Sequence, residues 1–455
     1  MQASRTLKLT FCGGTGSVTG ANFLLESDTQ KFVIDCGLTQ STKLADEANW
    51  EPFLFDATTI DILFITHAHI DHIGRIPKLI NDGFKGRIIS TTETKDLIEP
   101  MLRDTIGILS RDHEHGLDKI YTEENLKKAL ALWEGIDYHQ ELNIEGGFRV
   151  SFKDAGHILG SGMLHIVYNQ KVIVFTGDLG NSPAPLLRDT EALVNVDYLV
   201  MESVYGDRNH EDRSERRKKF EGFIEDNYKR GGVLMIPTFS LDRTQEMLFE
   251  LNDLVENKRI PEMPIYLDSP LAIKLTAVYK KHMNVFNETA QKVLSHDDIF
   301  TFPGLKITLL TEESKEILRA PNPKIVIAGS GMSNGGRIIH HELNYLPDPK
   351  NTLLLMGYQS LGTLGRKIED GAKSIHIMGE DVQVRAQVAK ISGYSGHKDS
   401  DGLVNFVETI ASSVKKIFVV MGEPKSSLFL VQRIRDNLAL DAVAPSQGES
   451  VVLDF

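Results

Sequence analysis

Cysteine is nearly missing from this chain: Cys12 and Cys36 are the only two in 455 residues. That argues against a disulfide framework and against a cysteine-built zinc site, so any metal here rests on histidine and carboxylate. Long apolar runs are missing as well. No stretch approaches the ~20 residues that span a bilayer, and the opening MQASRTLKLTFCGG has no apolar leader core, so the cytoplasm is the expected compartment and no membrane partner is expected. Positive charge is in deficit, with a formal net charge of −13. Bulk attraction to nucleic acid is thereby removed, and such a partner needs a local basic strip. The one candidate, RSERRKKF from Arg213 to Phe220, spreads its charges round the polar face of a helix and reads as solvated surface. There is no internal repeat and no biased tract. At 41% hydrophobic and 25% charged residues the composition is that of an ordinary globular protein, and the length implies two or three domains.

What is present falls into three stretches. Residues 7 to 35 read as short strands, LKLTFC, ANFLLE and KFVID, and the glycine-rich GGTGSVTG between the first two lacks the spacing and the following helix of a dinucleotide loop, so it reads as a hairpin turn. IDILFIT is a nearly continuous apolar run, as expected of a strand buried on both faces. Residues 93 to 134 look helical, and strands return at FRVSF, MLHIVY, KVIVFTGD and DYLVMES. From about 207 the texture becomes a regular alternation of helix and apolar strand, which implies βα units around a parallel sheet. After about 388 a shorter strand and helix series resumes. The expected organisation is a first domain over 1–206, an inserted α/β domain over 207–387, and a return segment over 388–455 that completes the first.

The densest chemistry is THAHIDH, residues 66 to 72, at the carboxyl end of the buried run. Loops there are exposed above a rigid sheet, which is where sites collect in α/β proteins. His67 and His69, joined by a third histidine, make a three-nitrogen site with a coordination position left for water. Asp71 and His72 cannot crowd onto the same ion and fit a second one beside it. His157 in AGHILGSG and Asp178 in FTGDLG, each beside glycines at a strand end, supply the third histidine and a bridging carboxylate. Two ions about 3.5–4 Å apart activate a water and clamp a phosphoryl centre, so hydrolysis is the expected reaction class. Zinc suits these donors, one or two ions per chain, while iron and manganese fit the ligand types too. In the second stretch GSGMSNGG, residues 329 to 336, ends an apolar strand and opens a helix, so its amides with Ser330, Gly331 and Met332 form a candidate phosphate-binding loop.

In this order, Asp35 in FVIDCG, HAHIDH, His157 and Asp178 resemble the motifs of the metallo-β-lactamase fold, an αββα sandwich. MESVYGDR, PTFSLDRTQE, LDSPLA, IAGSGMSNGGRIIHH, GYQSLGTLGRK and GYSGHKD resemble its β-CASP branch, the nucleic-acid hydrolases that include the pre-mRNA 3′-end cleavage endonuclease. The resemblance spans nearly the whole chain. It implies an inserted β-CASP domain that covers the metals, with His397 as the acid that protonates the leaving oxygen, Glu202 as the carboxylate that orients it, and Asp35 as a further catalytic residue. It implies a single-stranded RNA substrate cut internally to 5′-phosphate and 3′-hydroxyl ends, and it is compatible with a homodimer. A departure stands at FVVMGEP: relatives usually carry a histidine before GE that completes the second ion's shell, and here the residue is Met421. A thioether adds little to a hard site. Core packing of Met421, replacement by His397, and a second ion that fills only with substrate are the three readings; packing with a weak second site is the favoured one.

Two other functions are to be weighed. The first 200 residues alone would allow a small-molecule hydrolase such as a thioesterase, which leaves the long insertion without a task. A degenerate RNA-binding subunit is the non-enzyme reading, and retention of all seven histidines and carboxylates, His67, His69, Asp71, His72, His157, Asp178 and His397, speaks against it. That the chain stops at 455, without room for a further C-terminal domain, is expected to disfavour an exonuclease.

Overall fold

The computed structural model describes residues 6–40, 47, 49–113, 115–211, 213–357, 359–360 and 362–455. Two compact units emerge, one formed by the chain up to Asn209 together with Gly396–Phe455, the other by His210–Ser395.

The first unit is a sandwich of two seven-stranded sheets. One runs, in spatial order, Ser450–Asp454, Thr6–Gly13, Asn22–Glu26, Lys31–Ile34, Ile62–Phe64, Arg87–Thr91 and Trp133–Ile136. The other runs Ala442–Val443, Lys416–Val419, Tyr198–Met201, Lys171–Phe175, Gly162–Tyr168, Phe148–Asp154 and Leu142–Ile144. The return segment therefore supplies an edge strand to the first sheet and two strands to the second. Side-chain alternation explains why the apolar runs are continuous. In Lys171–Phe175, Ile173 and Phe175 enter the core between the sheets, whereas Val172 and Val174 face an outer core. Tyr198 and Val200 repeat the inward choice, with Leu199 and Met201 outward. That outer core is closed by the helices Ser400–Glu408 and Pro424–Leu438, through Leu403, Val407, Leu430 and Ile434. Helices Ile76–Asn81, Thr92–Leu109 and Glu123–Ala131 accompany the first sheet, so the layers are helix, sheet, sheet, helix. The stretch expected to be helical to residue 134 ends earlier, because Trp133–Ile136 pairs in parallel with Arg87–Thr91. The segment Gly13–Gly20 is the turn of an antiparallel hairpin.

In the second unit six strands form an all-parallel sheet, Leu305–Ile307, Ile265–Asp268, Lys324–Ala328, Val233–Pro237, Thr352–Met356 and Gln387–Ile391, with a small hairpin of Ser374–Ile377 and Glu380–Gln383 beside it in the chain. Its last strand, Gln387–Ile391, runs past residue 387, the expected end of the insertion. The helix Arg213–Arg230 is not the fully solvated element its charge implies. Arg216 is buried against Glu250, with its guanidinium 4.0 Å from the Tyr394 ring centroid. Arg217 pairs with Asp253 and Lys219 with Glu211, so the basic strip is largely neutralised by neighbouring carboxylates. Part of GYQSLGTLGRK, at positions 358 and 361, lies outside the described residues.

Candidate metal centre

Carboxyl ends of parallel strands from both sheets of the first unit converge on one cluster. Lys31–Ile34 leads into Asp35 and Ile62–Phe64 into Thr66–His72; in the second sheet Lys171–Phe175 leads into Asp178 and Tyr198–Met201 into Glu202. Backbone approaches there leave no space for side chains at two glycines. A Cβ at Gly37 would fall 1.5 Å from the Asp71 carbonyl oxygen, and one at Gly180 would fall 1.8 Å from that of Gly156.

His67, His69, His157 and Asp178 bring four donor atoms together. His67 Nε2 lies 3.1 Å from His69 Nδ1 and 3.4 Å from Asp178 Oδ2. His157 Nε2 lies 3.2 Å from His69 Nδ1 and 3.5 Å from the same Asp178 oxygen. Four donors each 2.0–2.2 Å from one ion stand about 3.3–3.6 Å apart along the edges of a tetrahedron. The spacing therefore fits an ion of that size. The remaining ring nitrogens are held from outside. Thr66 Oγ1 gives its proton to Asp35 Oδ2 at 2.8 Å, so it accepts from His67 Nδ1 at 3.0 Å. His157 Nδ1 donates to the Gly396 carbonyl at 3.1 Å. Each bond fixes the tautomer that leaves Nε2 with a lone pair facing the cluster. Burial pulls the His69 and His157 imidazoles well below their ordinary range, which keeps them neutral and ligand-ready.

Asp178 divides its oxygens. While Oδ2 faces the three histidines, Oδ1 lies 3.4 Å from His72 Nε2, which is itself 3.9 Å from Asp71 Oδ2. Asp178 Oδ1 and His72 Nε2 are both buried and neither has a hydrogen-bond partner. Orphaned polar atoms at such depth are costly unless something charged sits between them. Burial works against charge on His72, but the Asp178 and Asp35 carboxylates push its imidazole well above the ordinary range. For Asp178 the balance against burial is tipped by His72 and His67, which hold its carboxyl well below the usual range. The carboxylates around this pocket thus favour positive charge in it.

Asp35 lies against Thr66 and His72. Expected as a catalytic residue, it is 1% exposed and spends both oxygens inward: Oδ1 accepts from the Thr66 amide at 2.8 Å, and Oδ2 from Thr66 Oγ1 and from His72 Nδ1 at 2.7 Å. With Nδ1 held by Asp35, His72 Nε2 faces Asp71 and Asp178. Asp35 also holds a left-handed backbone, φ +57°, a conformation few non-glycine residues adopt and one common where a site overrides local preference.

His397 and Glu202 meet beside the cluster. His397 Nδ1 donates to Glu202 Oε1 at 3.1 Å and lies 3.9 Å from Asp178 Oδ2. Glu202 is fixed in turn by the Leu179 amide at 2.6 Å and the Val204 amide at 3.3 Å. Burial would discharge His397, but the Glu202 and Asp178 carboxylates overcome it and push the imidazole up to about 9, so the proton is retained at neutral pH. Met421 is 2% exposed, sits in the core between the sheets and has φ +47°. With His72, Asp35, Thr66 and Glu202 it lines a small internal cavity, and its sulfur lies 2.6 Å from where a side chain at Gly14 would begin. Ser330, Gly331 and Met332 belong to the second unit.

Sequence reasoning missed Thr66, the Gly396 carbonyl and the amides of Leu179 and Val204. Thr66 adjoins His67 and was within reach of inspection. Backbone donors and acceptors carry no residue signature at all.

An αββα sandwich with three histidines and a divided aspartate above its strand ends defines a metallo-hydrolase of the metallo-β-lactamase type. Family descriptions match in three consecutive parts: the metallo-beta-lactamase superfamily over residues 18–221, the Beta-Casp domain over 244–368, and the Zn-dependent metallo-hydrolase RNA specificity domain over 381–445. Among relatives, Ribonuclease TTHA0252 of Thermus thermophilus is 35% identical over 92% of this chain and 94% of its own length. An RNase J-like protein of Methanocaldococcus jannaschii is 32% identical over 97% and 98%, and the transcription termination factor FttA of Pyrococcus abyssi 31% identical over 99% and 72%. A crystal structure of a protein of unknown function from Enterococcus faecalis V583 covers 98% of this chain and all of its own at a TM-score of 0.59 and 13% identity, a likeness of fold alone. The chain belongs to the β-CASP branch of the metallo-β-lactamase superfamily. Among the described residues no helix is long and apolar enough to cross a membrane.

Proposed function

We propose that this chain is a metal-dependent endoribonuclease that cuts single-stranded RNA by hydrolysis of a phosphodiester bond. The observation that carries the reading is the division of Asp178 between the three-histidine group and the Asp71–His72 pair. Divided carboxylates of this kind serve two ions at one phosphoryl centre, and of two relatives of similar length one is named a ribonuclease and the other RNase J-like.

In this reading His67, His69, His157 and Asp178 hold the first ion, and Asp71, His72 and the other Asp178 oxygen the second, with zinc favoured by nitrogen-rich donors in tetrahedral spacing. When bound, such ions supply Lewis acidity to the phosphoryl oxygens and acidify the attacking water. Every other step belongs to the chain. Glu202, locked by two amides, keeps the His397 proton on Nδ1 and so sets the orientation of the ring. Charged at neutral pH, His397 then gives up a proton to the departing 3′-oxygen, leaving a 3′-hydroxyl and a 5′-phosphate. Asp35 and Thr66 take no part in proton transfer; they hold His67 and His72 in the productive tautomers.

The test is to incubate metal-loaded protein with labelled single-stranded RNA, single-stranded DNA and a thioester. Internal cuts in RNA that cease on chelation are expected. Turnover of the thioester with RNA untouched would point to the small-molecule hydrolase, and binding of RNA without cleavage to the degenerate subunit.

A further inference from the structure

Strand order in the second unit marks a place that the metal cluster does not account for. Numbered along the chain, its six parallel strands stand in the spatial order 3-2-4-1-5-6. From Val233–Pro237 the chain departs toward one edge of the sheet, and from the adjacent Lys324–Ala328 it departs toward the other. Winding reverses between these two neighbours. In open parallel sheets the crevice outside the carboxyl ends at such a reversal is where ligands bind. Here it is flanked by the segments after Pro237 and after Ala328.

Phe239 comes two residues after the first of these strands. It is 42% exposed, and the only other exposed aromatics among the described residues are Tyr228 and Phe429. Across the reversal Gly331 approaches it so closely that a Cβ would fall 2.8 Å from the Phe239 ring. The neighbourhood is otherwise hydroxyl and backbone. Ser240 Oγ and Ser269 Oγ lie 3.2 Å apart, and each is 3.5 Å from where a side chain at Gly329 would begin. The Gly329 segment is held from behind. Gln359 Nε2 donates to the Gly331 carbonyl at 3.1 Å, the Gly365 amide to that of Met332 at 3.0 Å, and Arg337 to the buried Asp268 at 2.7 Å. An apolar ring left in water beside a braced, glycine-bearing loop and two hydroxyls offers a π-face for a base and polar groups for its sugar and phosphate.

We propose that Phe239 is a base-stacking platform of the second unit, which holds one nucleotide of a single strand while the Ser240 and Ser269 side receives its sugar-phosphate. The inference rests on the ribonuclease reading above. A stacked base contributes enough that truncating the ring should weaken binding about 5- to 150-fold.

The experiment uses the full chain. Binding of a short single-stranded RNA is measured in chelator by fluorescence anisotropy for wild type, Phe239→Ala, Phe239→Leu and Phe239→Trp, beside the melting temperature and the KM and kcat of the metal-loaded forms. Both the alanine and leucine variants should lose affinity and gain in KM, Phe239→Trp should retain or tighten binding, and 5-iodouridine in the RNA should crosslink to the wild-type peptide containing Phe239. The leucine variant guards against a folding artefact, since it keeps an apolar side chain over Gly331. Wild-type affinity in a folded Phe239→Leu together with normal RNA cutting overturns the platform alone. Failure of the wild type to bind or cut RNA removes the ribonuclease reading, and this inference with it.

Discussion

The carbonyl oxygen of Gly396 accepts a hydrogen bond from His157 Nδ1 at 3.1 Å, one residue before His397. A single loop thus presents His397 and fixes the tautomer of His157. The same carbonyl accepts from the Asn181 amide at 2.9 Å, and His397 bridges to Gly180, which ties this loop to the turn that carries Asp178. His397, His157 and the turn that carries Asp178 are therefore tied together by one short stretch of backbone.

His397 itself is expected to act without holding metal. Its Nδ1 is committed to Glu202 as a donor, which denies that nitrogen to an ion. His397→Ala should lower the rate of RNA cleavage ~10²–10⁴-fold, with metal content measured by mass spectrometry close to that of wild type. Parallel loss of metal and rate would make His397 a ligand.

In the proposed reading Asp35 bears chiefly on the second ion, because it touches His72 directly and reaches His67 only through Thr66. Asp35→Asn keeps the size of the side chain but offers His72 Nδ1 and the Thr66 hydroxyl a weaker, neutral partner. Outer-sphere changes of this kind cost about 10- to 100-fold in metal affinity. Calorimetric titration should show that loss chiefly for one ion, with a smaller change for the other. Equal weakening of both would mean that Asp35 stabilises the fold around the cluster instead.

Met421, where the resemblance leads to the expectation of a histidine, is packed in the core between the sheets. In the proposed reading a second ion would rest on Asp71, His72 and Asp178 alone. Met421→His is expected to hold close to two ions per chain after mild chelation and the wild type fewer. Equal retention by both would show that a further ligand completes the second shell.

A pH effect on stability is expected from Glu342, far in sequence from the cluster. It is fully buried, its Oε1 accepts from Ser333 Oγ at 2.5 Å, and burial pushes its carboxyl up to about 8 from 4.5. The folded chain keeps this proton up to about pH 8, whereas the unfolded chain releases it near 4.5. More protons are bound when folded across that window, so this group's contribution to stability falls as pH rises through it. Glu342→Gln removes the fall. The gain in denaturant midpoint of the variant over wild type should grow from pH 5 to pH 8, and a constant difference would contradict the assignment.

Much of this architecture is legible from residues, for physical reasons that differ by element. Apolar runs such as IVIA at 325–328 announce strands buried on both faces, and HAHIDH announces a metal cluster because no packing demand gathers three imidazoles and a carboxylate in six positions. Helix and strand were harder to divide at Trp133, where pairing to Arg87–Thr91 overrides a helical pattern. The solvated reading of RSERRKKF failed at Arg216 because a buried ion pair with Glu250 is a tertiary fact invisible to helical spacing. Asp35 was legible as part of the site, but only geometry shows that both of its oxygens are taken.

The measurement that tests the account most directly is cleavage of end-labelled single-stranded RNA by wild type and Asp178→Ala, purified in parallel and loaded with the same metal. Asp178 is the one side chain shared by both halves of the cluster. The account predicts internal cuts with 5′-phosphate ends by the wild type, abolished by chelation and absent from the variant. Cleavage by Asp178→Ala at the wild-type rate, with contaminating nuclease excluded, would contradict it.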